Sequence, residues 1–166
     1  ERGLDGDALV VCGGVSVGEH DHVRPALEGL GVEQVFWGVA LRPGKPTYFG
    51  VAPGGTLVFG LPGNPVSAMV TFLLFARPAL LAMQGANPAG RSVAARLRSP
   101  YTKVRGRAEA IRVRLEAGAG GWEIAPTGPQ GSHVLTSMLG ADGLAFAPAE
   151  LVELPAGTEL RTELLR

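Results

Sequence analysis

Phe59-Gly60-Leu61-Pro62-Gly63-Asn64-Pro65-Val66-Ser67-Ala68 (residues 59–68) reads as a strand end, a tight loop and a helix start. Asn64 suits the N-cap and Pro65 the first helical turn, where a missing N–H costs nothing. Upstream, Thr47 to Val51 and Thr56 to Gly60 flank Pro53-Gly54-Gly55, the pattern of a hairpin. Downstream, a strongly apolar stretch from 66 to 83 predicts a long helix that Pro78 kinks or breaks.

The same strand–loop–helix order occurs nearer the N-terminus. Residues 8–12 are a short apolar strand ended by Gly13-Gly14. A loop follows, and Asp21 can cap a helix running to about Leu30, with Val23, Ala26, Leu27 and Leu30 on one face and Gly31 as its stop. Residues 34–41 read as a further strand, followed by the rigid loop Arg42-Pro43-Gly44-Lys45-Pro46. Such alternation argues for a layered α/β domain.

The character changes at 85–90, Gly-Ala-Asn-Pro-Ala-Gly, which reads as a linker. Beyond it the segments are shorter: strands at 92–98, 109–115, 121–125 and 157–163, with one helix at 133–140. We therefore expect an α/β domain over 1–87 and a small β-rich domain, barrel or sandwich, over 88–166.

Fifteen basic side chains balance fifteen acidic ones, so charge offers no reason to expect nucleic acid or an anionic membrane surface. No apolar run is expected to span a membrane, and the N-terminus lacks a signal-peptide pattern. The chain opens on Glu1 and runs almost at once into a strand, so it is expected to begin inside a domain. Cys12 is the only cysteine, which excludes an internal disulfide and a Cys-rich metal site, and fits the cytosol. After four apolar residues it is expected to be a buried structural thiol.

Three loops can carry chemistry. Gly13-Gly14-Val15-Ser16-Val17-Gly18-Glu19-His20-Asp21 lies between strand and helix. Glycine lets main-chain N–H groups approach an anion, Ser16 adds a hydroxyl, and Glu19 and Asp21 supply oxygens for Mg²⁺. The competing reading is an ordinary turn with Asp21 as N-cap, and from this loop alone the two weigh equally. Arg42 and Lys45 form a cationic pair on a proline-restricted loop that can present both to a phosphate, as catalytic groups together with Asp21, at little ordering cost, although for one isolated pair of charges a solvated turn is the commoner reading. The loop at Pro62, Gly63 and Asn64, with Ser67 behind it, would supply a second set of donors beside the first, where ligands gather at strand C-termini. In the second domain Arg105, Arg107, Glu109 and Arg112 read as a solvated strand face. Odd spacing puts Arg107 and Arg112 on opposite faces, with Glu109 on the side of Arg107. Ser132 and His133 are neighbours without an orienting acid, which is poor material for a triad. Ser132 reads instead as an N-cap.

In this order, GGVSVGEHD (13–21), RPGKP (42–46), FGLPGNPVSA (59–68), RAEAIR (107–112) and QGSHVLTSMLGADGL (130–144) resemble the molybdopterin molybdenumtransferase family, which includes the C-terminal domain of gephyrin. The resemblance implies a partial molybdopterin-binding α/β domain followed by a small C-terminal β-barrel-like domain, together the C-terminal half of a longer enzyme. It implies that adenylylated molybdopterin and molybdate bind, that the phosphoanhydride is cleaved with Mg²⁺ present, and that AMP leaves. Gly13, Gly14, Ser16 and Gly18 would hold phosphate or pterin, and Asp21 would serve Mg²⁺ and nucleotide. Arg42 stands where the family often has lysine, and Gly38 where it often has a cation. Arg112 would meet molybdate with its guanidinium fork. The family is dimeric, so a homodimer is expected of the full-length protein; a cytoplasmic location is expected of this chain, and this portion alone is expected to be inactive.

Two other functions compete. Molybdopterin adenylyltransferase shares the first loop, but GLPGNPVSA and the β-rich extension argue against it. A non-catalytic scaffold would use the apolar helix as a partner surface, although such helices are more often core. Molybdate-dependent AMP release separates these readings.

Overall fold

A computed structural model describes residues 2–18 and 21–165. The described chain forms two compact units: residues 1–39 with 44–88, and 40–43 with 89–166.

The first unit is α/β. Its strands are β1 (Ala8–Cys12), β2 (Glu33–Trp37), β4 (Tyr48–Val51) and β5 (Leu57–Leu61), in the order β1-β5-β4-β2. β1 runs parallel to β5, with Cys12 opposite Leu61, while β4 is antiparallel to both β5 and β2. The expected hairpin is β4–β5. Helix α1 (Val23–Gly29) follows the first loop, and Leu27 packs with Val32, Tyr48, Ala52 and Val58.

The second loop leads into α2 (Pro65–Thr71), a π-helical stretch (Phe72–Ala76) and α3 (Arg77–Met83). Pro78 stands in the first turn of α3, so the irregularity expected of it falls just upstream. A proline offers no N–H to a preceding carbonyl, and widening the turn is one way a helix accommodates that. By length and composition, Pro65–Met83 is apolar enough to cross a membrane, which corrects the expectation that no run would be. A core helix passes the same test. Val66, Val70 and Ala76 are fully buried, and Ala76 packs with Phe59 and Leu61.

Cys12 corrects another expectation, because it is exposed. β1 is an edge strand, and alternation puts Cys12 on the same face as Val10, itself 38% exposed.

The second unit is a barrel. β6 (Ser92–Leu97), β8 (Ala108–Gly118), β9 (Gly121–Pro126), β10 (Gly143–Ala147) and β12 (Glu159–Leu164) are joined in the order β10-β12-β6-β9-β8. Pairing of β10 with β8 closes the ring. Leu97, Ile111, Val113, Ile124, Ala145 and Leu160 fill the interior, and the short pair β7 (Tyr101–Thr102) and β11 (Glu153–Leu154) adds Leu154 to that core. The expected strand over 34–41 is interrupted at Gly38 (φ 85°). Its far end becomes β3 (Leu41–Arg42), which pairs with Ala108–Glu109 of β8 and belongs to the barrel unit. The helix expected at 133–140 is a 3₁₀ turn over Leu135–Met138. β10 had no counterpart in the sequence reading, because Gly-Leu-Ala-Phe-Ala shows little polar alternation.

Candidate functional site

The two glycine-rich loops leave the C-terminal ends of the parallel pair β1 and β5 and meet backbone to backbone. Gly13 N–H donates to the Leu61 carbonyl at 2.9 Å. A Cβ added to Gly63 would lie 3.5 Å from the Gly13 Cα. Gly14 adopts φ 71°, and a Cβ there would stand 2.7 Å from the Val23 side chain, so an L side chain is disfavoured twice over. Val15 is the anchor of the first loop. It is 1% exposed and lies over Gly60, where a Cβ would come within 2.7 Å of it.

Asp21 was expected to cap a helix. Instead α1 begins at Val23 with His22 in the N-cap position. Asp21 folds back into the loop, where its Oδ2 accepts the Gly18 N–H at 2.7 Å and its own N–H donates to the Gly18 carbonyl at 3.0 Å. A short Asp–glycine turn is a local alternative to helix that aspartate favours. Glu19, the second acid expected near Mg²⁺, and His20 lie outside the described residues. Among the described residues no three His, Cys, Asp or Glu side chains converge on a metal position.

Ser16, Val17, Trp37, Gly38, Lys45 and Pro46 line a cavity of about 270 Å³. Two residues read from sequence as anion-binding, Ser16 and Lys45, thus line one cavity together with an aromatic side chain. Trp37 was not expected there. It ends β2, and Gly38 turns the chain so that Gly38 N–H bonds to the Thr47 carbonyl at 2.8 Å and Val39 N–H to the Lys45 carbonyl at 2.9 Å. Pro62 is buried, Gly63 and Asn64 are exposed, and Asn64 stands at the N-cap position with extended backbone. Ser67 is buried in the first turn of α2, and its carbonyl accepts the Thr71 hydroxyl.

The RPGKP loop is divided between the units. Lys45 is in the first, whereas Arg42 belongs to the barrel, with its Nη1 3.9 Å from Glu109 Oε2. Glu109 is 1% exposed, and its Oε1 accepts the Tyr101 hydroxyl at 3.0 Å. Arg112 is fully buried, which corrects the solvated-strand reading of both residues. Its Nε donates to Ser137 Oγ at 3.1 Å, Nη1 to the Ala110 carbonyl at 3.4 Å and Nη2 to the Gly131 carbonyl at 3.3 Å. Burial lowers its pKa. The reason for burial is tertiary: Glu109 points with Ile111 and Val113 to one side of β8, while Arg112 lies on the other side under the segment from Thr127 to Ser137. His133 is exposed, and the 3₁₀ turn has Val134, not Ser132, in its N-cap position.

Residues 1–82 match the family model of a probable molybdopterin binding domain, and residues 94–165 match that of the MoeA C-terminal region (domain IV). The chain belongs to the molybdopterin molybdenumtransferase family. It is 37% identical to molybdopterin molybdenumtransferase 2 of Mycobacterium tuberculosis, over 95% of this chain and 40% of that protein. Cinnamon, a molybdenum cofactor synthesis protein of Drosophila melanogaster, is 36% identical over 90% of this chain and 25% of its own length. The crystal structure of the molybdopterin biosynthesis MoeA protein of Pyrococcus horikosii superposes with a TM-score of 0.77 at 34% identity, covering 97% of this chain and 38% of that one. The chain therefore spans between a quarter and two fifths of the length of these relatives. The boundary between the two family matches falls within 83–93, around the spacer read from sequence. Both expected architectures, the α/β layer and the barrel, are those of this family's solved structures.

Proposed function

We propose that this chain supplies the loops on which a molybdenumtransferase holds adenylylated molybdopterin, and that the complete reading frame transfers molybdenum from molybdate to it with release of AMP. The observation that carries this is the meeting of two glycine-rich loops at the ends of parallel strands, beside a cavity lined by Ser16, Lys45 and Trp37. The Gly14 N–H and the Ser16 hydroxyl offer donors to a phosphate and Lys45 offers compensating charge, while Gly13 and Gly18, whose N–H groups are spent on the Leu61 carbonyl and on Asp21, let the loop backbone come close to the ligand. The Pro62-Gly63-Asn64 turn holds the second loop against the first, and Ser67 supports it from inside the helix.

Such a site works by placing two anions and neutralising their charge, which asks for fixed donors more than a nucleophile. Mg²⁺ would draw on Asp21, with Glu19 as a second acid, and on phosphate oxygens and water, a donor set this hard cation accepts. When bound it would offset phosphate charge during anhydride cleavage. Arg42 and Arg112 are the cations offered to molybdate. Arg112 meets an oxyanion only after Ser137 and Gly131 release its guanidinium. A cytoplasmic homodimer belongs to the same proposal. Met69 and Met83, 43% and 45% exposed on the long helix, are apolar surface that a second copy can cover.

The test is AMP release from adenylylated molybdopterin by protein from the complete reading frame. Release that rises with molybdate and falls at least ten-fold in Lys45→Met supports the proposal. Release independent of molybdate would leave only hydrolysis of the anhydride and overturn molybdenum transfer; no release, with adenylylated molybdopterin formed instead from ATP and molybdopterin, would return the protein to adenylyltransferase chemistry, and neither activity to a scaffold.

A further inference from the structure

We propose that Arg24 and Trp37 form a clamp that sets the position of the first glycine-rich loop, so that both are positioning residues for the cavity beside it. What that cavity takes rests on the function proposed above; the clamp itself rests on contacts within the first unit.

Tryptophan has a single hydrogen-bond donor. Trp37 Nε1 spends it on the Val15 carbonyl, at 2.8 Å. Val15 is thus held twice, by its side chain over Gly60 and by its carbonyl on the indole. The next two residues, Ser16 and Val17, line the cavity together with Trp37. One side chain therefore forms a wall of the cavity and fixes the loop that forms another wall. Beyond this point the loop is open: Val17 is 81% exposed.

Arg24 holds the indole in turn. Its Cζ lies 3.8 Å from the centroid of the Trp37 ring, within the range of a cation–π contact. Arg24 Nη2 donates to Gln34 Oε1 at 3.4 Å, while its buried Nε has no hydrogen-bond partner. Leaving a donor unsatisfied is unfavourable, so the guanidinium is positioned by the ring more than by hydrogen bonds. Arg24 sits in the first turn of α1, which the Val23 N–H ties to the Gly14 carbonyl at 3.1 Å. The loop is consequently fastened at Gly14 to the helix and at Val15 to a ring that the same helix covers.

Hydrogen exchange measured by mass spectrometry on this chain tests the clamp without reference to activity. Trp37→Phe keeps a ring but removes the donor, Arg24→Gln removes the cation, and Arg24→Lys keeps it. Exchange in 14–18 is expected to quicken roughly three- to ten-fold in Trp37→Phe and Arg24→Gln, the range for one lost hydrogen bond, and to stay near wild type in Arg24→Lys. β5 should keep its protection in all three. Unchanged loop exchange in both Trp37→Phe and Arg24→Gln overturns the clamp, as does an equal rise in β5 and the loop. If Trp37→Phe does not fold, the Arg24→Gln and Arg24→Lys pair decides alone. Measuring AMP release on the same variants keeps the two readings apart. A loosened loop with unaltered release upholds the clamp and removes the loop from the proposed chemistry.

Discussion

The side-chain amide of Gln130 pairs with both main-chain groups of Arg112. Gln130 Oε1 accepts the Arg112 N–H at 2.8 Å, and Gln130 Nε2 donates to the Arg112 carbonyl at 3.3 Å. On that edge of β8, pairing with β3 ends at Glu109 and pairing with β9 starts at Val113. Gln130 thus stands in for a missing strand residue. The Arg112 carbonyl also accepts the Thr127 N–H at 2.9 Å, so one residue of β8 fastens the segment that covers its own side chain.

Gln130→Leu should therefore destabilise the barrel by about 1–3 kcal/mol, because it leaves the Arg112 N–H unpaired, while the Arg112 carbonyl keeps the Thr127 N–H. Urea unfolding followed by circular dichroism would measure this. A loss below about 0.5 kcal/mol would mean that water or a neighbour replaces the amide.

Arg112→Lys keeps the charge but cannot reach Ser137, Ala110 and Gly131 with one fork. The barrel should lose stability, and in the complete reading frame the molybdate concentration needed for half-maximal AMP release should rise. Arg107→Lys should do much less, since the contact of Arg107 with the barrel is a carbonyl accepting from Lys103 at 3.0 Å, which any residue there supplies.

Asp21→Ala removes the acceptor of the Gly18 N–H. A hydrogen bond to a carboxylate contributes roughly 1.5–3 kcal/mol at best, and less in this partly exposed loop. The melting temperature should move by only a few degrees. Mg²⁺-dependent AMP release should fall far more, and unchanged release from a folded variant would remove Asp21 from the proposed site.

Both tyrosines of the chain, Tyr48 and Tyr101, should ionise above the usual value of 10. Burial is the largest cause for each, and for Tyr101 the carboxylate of Glu109 adds to it. A raised pKa means that folding favours the neutral phenol. The stability this contributes is complete below about pH 10 and is lost as pH rises through the higher folded value. Absorbance of tyrosinate at alkaline pH should appear later in folded than in urea-unfolded protein. Tyr101→Phe should be less stable than wild type at neutral pH, yet lose less stability above pH 10.

Limited proteolysis should nick 85–90 first, since this stretch is exposed and holds, along the chain, the boundary between the two units. The order would be reversed if 66–83 were cut before it.

Local chemistry made much of this protein legible in its sequence. The strand at 8–12, the hairpin, Asn64 before Pro65 and the irregularity near Pro78 follow from hydrophobic period, cap preference and the missing proline N–H, all properties of a few adjacent residues. The motifs carried the family, and with it the α/β layer and the barrel. Which residues touch was decided elsewhere. Cys12 is exposed because β1 is an edge strand, and edge position belongs to the sheet. Arg112 looks solvated in a strand of charged residues. It is buried because the segment from 127 to 137 folds over the outer face of β8. Trp37 entered the site through a bond to Val15, twenty-two positions away, and no pattern shorter than that separation could announce it. Periodicity and capping act over one or two turns of chain, whereas burial and side-chain contact depend on partners distant in sequence that only the tertiary fold brings together.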